Sequence, residues 1–91
     1  MKIKIEFLAQ AKLAAGRSSL SLDMAEGCTV AAAIHAATVG NGALQELLLT
    51  EDGKIHPWVL VAMDLQSLAD PNHQVLNADV TLRLMPPISG G

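Results

Sequence analysis

The chain has 91 residues, a formal net charge of −3, 51% hydrophobic residues and only two aromatic side chains, Phe7 and Trp58. That length gives one small domain with one core. The acidic balance and the scarcity of aromatics exclude nucleic-acid binders, which need a basic surface or stacking platforms.

Lys2-Ile3-Lys4-Ile5-Glu6-Phe7 alternates strictly and predicts a half-buried strand with Ile3, Ile5 and Phe7 on its inner face. Residues 8–15 are rich in Ala and Leu and run to Gly16, read as a long connection. Leu20, Leu22 and Met24 then alternate with Ser19, Ser21 and Asp23, a second strand forming a loose hairpin with the first. After the turn Ala25-Glu26-Gly27, Thr29 is expected to cap a helix that begins at Val30. Val30, Ile34 and Ala37 lie on one side of it, and Gly40-Asn41-Gly42 ends it. Leu44, Leu47 and Leu48 suggest a short second helix over residues 42–49, followed by a turn at 50–53.

Trp58-Val59-Leu60-Val61-Ala62-Met63 is a continuous apolar run, expected as a strand covered on both faces. Residues 64–72 read as loop, Val75-Leu76 as a brief strand, and Asn77-Ala78-Asp79 as a turn. Val80, Leu82 and Leu84 alternate with Thr81, Arg83 and Met85 as the last strand. One main helix across one mixed sheet is an α+β chain of β-grasp arrangement, with a body over residues 1–85 and a tail over 86–91.

Chemistry-bearing residues are sparse. His35, His56 and His73 are far apart and show no metal-ligand spacing. Cys28 precedes a helix start but has no neighbouring histidine, so packing is the expected role, and as a lone cysteine it suits a reducing compartment. No phosphate-binding glycine motif is present. Asp23, Glu26, Glu51, Asp52 and Asp70 read as solvated turn charges. Trp58 beside Pro57 is expected to close one end of the core, with a partner anchor as the other option. Met63 or Ala62, Leu82 or Arg83, and Phe7 or Leu8 are candidates for an uncovered apolar patch opposite the helix, with Phe7 a possible docking residue. Met1-Lys2 leads directly into a strand pattern with no apolar leader, and no window approaches the ~18 apolar residues of a membrane span. The expected setting is the cytoplasm.

The most informative stretch is Pro86-Pro87-Ile88-Ser89-Gly90-Gly91. Two prolines stop a strand, and two glycines let another backbone approach closely. Six extended residues carry a terminal carboxylate ~20 Å from the body, enough to enter a partner's active site.

Together with Phe7-Leu8-Ala9-Gln10-Ala11-Lys12 before Gly16, and Gly27-Cys28-Thr29-Val30 at the helix start, this ending resembles the ubiquitin-like sulfur-carrier family, most closely the molybdopterin synthase small-subunit type. The resemblance implies a carrier without its own active site and with no bound cofactor or metal. Gly91 would be adenylated by a ubiquitin-activating-like adenylyltransferase that uses ATP, then converted to a thiocarboxylate by a sulfur donor of desulfurase or rhodanese type. Pro86, Pro87, Ser89 and Gly90 would enter the large synthase subunit with it. Carriers for thiamine thiazole, amino acid or tRNA thiolation, and a protein modifier joined through Gly91 to lysines, are the alternatives. This chain departs from the family at Met63-Asp64, where Val-Asn is usual, and at Ala78-Asp79, where Gly-Asp is usual; Asn77 is expected to supply the left-handed turn residue instead. Residues 50–57 resemble longer variants, some of which serve other pathways.

Overall fold

The computed structural model describes residues 1–87. Strand β1 (Lys2–Phe7) buries Ile3, Ile5 and Phe7 and turns Lys2, Lys4 and Glu6 to the opposite face, as its alternation requires. The connection that follows is partly helical: α1 (Gln10–Ala15) buries Ala11 and ends at Gly16, whose φ of 71° lets its N–H reach the Lys12 carbonyl. Strand β2 (Ser19–Asp23) returns antiparallel to β1, with Leu22 opposite Ile3 and Leu20 opposite Ile5.

Helix α2 (Val30–Thr38) starts at the expected cap, where the Thr29 hydroxyl accepts a hydrogen bond from the Ala32 N–H at 3.1 Å. Its buried side is Val30, Ala33, Ile34 and Thr38; the Thr38 hydroxyl is satisfied by donating to the His35 carbonyl. Helix α3 (Gly42–Leu48) buries Leu44 and Leu48. Asn41 joins two helices, its side-chain oxygen accepting from the Leu44 N–H and its amide donating to the last turn of α1 at Ala14. His56 closes the other end of α3: its N–H donates to the Leu48 carbonyl, and ring Nε2 meets the Glu46 carbonyl at 3.0 Å. A carbonyl only accepts, so Nε2 carries the proton.

Strand β3 (Leu60–Met63) is shorter than the apolar run and is covered on one face only. Val59 and Val61 are buried, but Leu60 is 63% exposed, because no second layer lies on that side. Trp58 is likewise 55% exposed and stacks on His56, with ring centroids 4.5 Å apart, instead of closing the core. The brief strand sits elsewhere than expected, in β4 (Gln66–Ser67), which folds back on β3 through Asp64 and Leu65. The left-handed residue of this region is Asp64 at φ 56°, and not Asn77. Val75 makes only an isolated bridge to Thr29, while Leu76 enters the core.

Strand β5 (Val80–Met85) lies between β1 and β3 in a sheet ordered β2-β1-β5-β3-β4. It runs parallel to β1, with Ile5 beside Leu82 and Phe7 beside Leu84, and antiparallel to β3. α1 and α2 pack on the face that carries these residues, and α3 packs against both helices. Among the described residues no helix is long and apolar enough to cross a membrane.

Candidate functional site

The helix-free face of the sheet is ordered by register. One row crosses all five strands as Ser19, Glu6, Arg83, Ala62 and Ser67. At its centre Arg83 Nε lies 2.9 Å from a Glu6 carboxylate oxygen, Lys4 Nζ lies 3.7 Å from the other, and the Arg83 guanidinium also donates to the Asp64 carbonyl. These charges are partly exposed, so they set orientation more than they add stability.

Two residues towards the chain's exit the face becomes apolar. Met85 pairs with Leu60, and both are exposed, Met85 at 37%. Half-buried Leu8 borders the same end, where its N–H donates to the Leu84 carbonyl at 3.0 Å and extends the β1–β5 ladder by one bond. The chain then leaves β5. The Pro86 ring is buried, whereas Pro87 is exposed.

The expected site residues separate accordingly. Phe7 is 1% exposed and belongs to the core; alternation along β1 puts it with Ile3 and Ile5, so it is no docking residue. Pro86 belongs to the body and not to the exposed tail, because its ring completes packing where β5 ends. Ser89, Gly90 and Gly91 lie outside the described residues. Of the alternatives for the open face, Ala62 and Arg83 point outwards and Leu82 is buried. Leu60 and Met85 were missed as a pair. Met85 carried a signal, since it falls out of phase with Leu82 and Leu84.

The remaining candidates stay scattered. His35 is exposed on α2, and His73 pairs with Asp70 at 2.9 Å. Cys28 is half-buried, and its carbonyl accepts from the Leu76 N–H. Among the described residues no three His, Cys, Asp or Glu side chains gather as a metal site. The Asp52 carboxyl is held below its ordinary range, chiefly by the Thr50 hydroxyl, with further help from its own backbone N–H and from Lys54.

No family model matches the chain, and no curated protein sequence matches it. Solved structures do. SAMP1, a small archaeal modifier protein from Haloferax volcanii, superposes over 100% of both chains with a TM-score of 0.86 at 24% identity. The fold is the ubiquitin-like β-grasp. Two more β-grasp structures agree. Urm1 from Trypanosoma brucei covers 99% of this chain and 95% of its own at TM-score 0.77 and 21% identity. A Pyrococcus furiosus protein named for subunit 1 of a molybdopterin converting factor covers 97% and 99% at TM-score 0.74 and 18% identity.

Proposed function

We propose that this β-grasp chain is a sulfur carrier that works through a thiocarboxylate at Gly91, with molybdopterin synthesis as the receiving pathway. The observation that carries the reading is the position of the exposed Leu60–Met85 pair, two residues before the ending Pro87-Ile88-Ser89-Gly90-Gly91. A partner that takes the tail must also touch the body at its root, and that is where apolar surface stands open. The partner is a ubiquitin-activating-like adenylyltransferase in one step and a large synthase subunit in the next.

A carboxylate with a pKa of about 3.5 is ionised at neutral pH and is a poor electrophile. Its attack on the α-phosphate of ATP displaces pyrophosphate and gives an acyl adenylate. Hydrosulfide then attacks the acyl carbon and AMP leaves, which gives the thiocarboxylate after loss of a proton. The partners supply the catalytic groups; the carrier supplies the sulfur and its placement.

The likeness to SAMP1 favours a second reading, in which Gly91 is joined to lysines of other proteins. Intact-mass spectrometry after incubation with the host's activating enzyme, ATP and sulfide separates the two. A gain equal to one oxygen replaced by sulfur, mapped to Gly91, is the expected result. An unmodified terminus overturns the carrier reading, and higher-mass conjugates in host extract support the modifier.

A further inference from the structure

We propose that β2 is a self-recognition edge: two copies of this chain join by antiparallel pairing of their β2 strands, Ser21 beside Ser21, into one continuous sheet. The inference is independent of the carrier reading. It starts from the parity of the backbone. Met1 and Met24 exchange both backbone hydrogen bonds, and the Phe7 N–H donates to the Ser18 carbonyl. With Ile3 opposite Leu22 and Ile5 opposite Leu20, the even-numbered residues of β2 turn their N–H and C=O groups towards β1. Those of Ser19, Ser21 and Asp23 therefore point out of the sheet. β2 is an end strand, with β1 on one side and α2 on one face. Among the described residues no backbone hydrogen bond reaches its outer groups.

Open edges are ordinarily blunted by shortness, proline, lysine or a bulge. The far edge of this sheet, β4, is two residues long. β2 is five residues long, keeps unbroken register with β1, and holds no proline or lysine.

This stretch is also complementary to itself when reversed. Arg17 stands before the strand, Asp23 ends it and Glu26 follows. All three are exposed and in no ion pair among the described residues. Antiparallel pairing sets Arg17 of each copy near Asp23 and Glu26 of the other, whereas parallel pairing sets like charges together. Register follows from the side chains. Centring on Ser21 matches Ser19 with Asp23 of the second copy, hydroxyl to carboxylate. It also matches Leu20 with Leu22 on the helix side, where both are half-buried against the core. Centring on Asp23 opposes two carboxylates. These charges are exposed, so they choose the register more than they add affinity. One strand pair buries less than the ~1,200 Å² of a standard interface, so the dimer is weak and concentration-dependent. β2 and β3 lie on opposite sides of the β1–β5 pair, so Leu60 and Met85 stay open in the dimer.

The test follows the full-length chain by sedimentation equilibrium and amide hydrogen exchange from ~10 µM to ~1 mM. The mass is expected to rise from one chain towards two, with the Ser19, Ser21 and Asp23 amides gaining protection in step. The Leu20 and Leu22 amides, already turned to β1, are the internal reference. Arg17→Glu and Asp23→Arg are each expected to raise the dimer Kd ~5- to 10-fold, since each acts at both ends of a symmetric pair. Combined, they restore opposite charges and recover part of the affinity. Ser21→Pro removes both central donors and is expected to abolish the dimer, with melting curves to check that every variant is folded. A constant single-chain mass with a freely exchanging Ser21 amide overturns the inference. So does a dimer that leaves these three amides unprotected or ignores the charge changes. Protection by an added host protein, in a chain that never self-associates, gives the edge to a different strand and overturns a second copy as its occupant.

Discussion

Leu60 lies directly across the β3–β5 pair from Met85, and both side chains stand on the helix-free face where the chain leaves the body. Phe7, two strands away from Leu60 in the same sheet, points to the other side and is buried. Phe7 thus serves the core, and the docking role proposed for this end of the sheet falls to Leu60 and Met85.

Leu60→Asp is expected to change stability by no more than about 0.5 kcal/mol, as exposed positions usually do. It is expected to weaken binding to the activating enzyme at least ~10-fold, equivalent to about 1.4 kcal/mol. Phe7→Ala is expected to do the reverse first, removing about 3–5 kcal/mol of folding free energy by opening a cavity. Urea unfolding and isothermal titration read the two effects. Wild-type affinity in the Leu60 variant would remove the docking role from this face.

Ala9→Gly is expected to stabilise the protein by about 1 kcal/mol. The native φ of 54° strains an L-residue and not glycine, and that relief exceeds the added freedom of the unfolded glycine. A thermal melt measures it. A lower melting temperature for the glycine variant would show that the loop after β1 does not hold the strained conformation.

Asp52 gives a pH signature. Its carboxyl titrates below the ordinary carboxylate range because the Thr50 hydroxyl and backbone favour the ionised form. A depressed folded pKa stabilises the fold above the unfolded value, and that contribution is lost as pH falls through the folded one. Thr50→Val is expected to raise the Asp52 midpoint in a carbon-detected NMR titration; an unmoved midpoint would exclude the hydroxyl as the main cause. The accompanying stability change is small, since Asp52 is exposed to solvent.

What the sequence made legible follows from how strongly each element is written. Ile3, Ile5 and Phe7, and Leu82 and Leu84, repeat at period two, which only a one-sided strand satisfies. Thr29 before an alanine-rich run marked the start of α2 to the residue. Gln10–Ala15 escaped because fewer than two turns leave almost no period to detect, and Gln66–Ser67 because two residues cannot alternate. Trp58 and Leu60 misled for another reason. An uninterrupted apolar run looks the same whether its second face meets another layer or awaits a partner, and here it stands open. Pro86 misled similarly, since a Pro-Pro pair reads as the start of a tail while its first ring belongs to the packing.

The central pairing of the sheet joins the two ends of the chain: Ile3 lies beside Val80 and Phe7 beside Leu84. Contacts so distant in sequence form slowly, after most of the chain-closure entropy has been overcome. On the ribosome β1 must wait for β5, the last of the described strands to be made, before the middle of the sheet can close. A chain interrupted before Val80 lacks that central strand, and the β1–β2 and β3–β4 pairs stay unjoined. Folding and possession of the tail are therefore tied together, and a properly folded body is one whose synthesis has already reached the root of its tail.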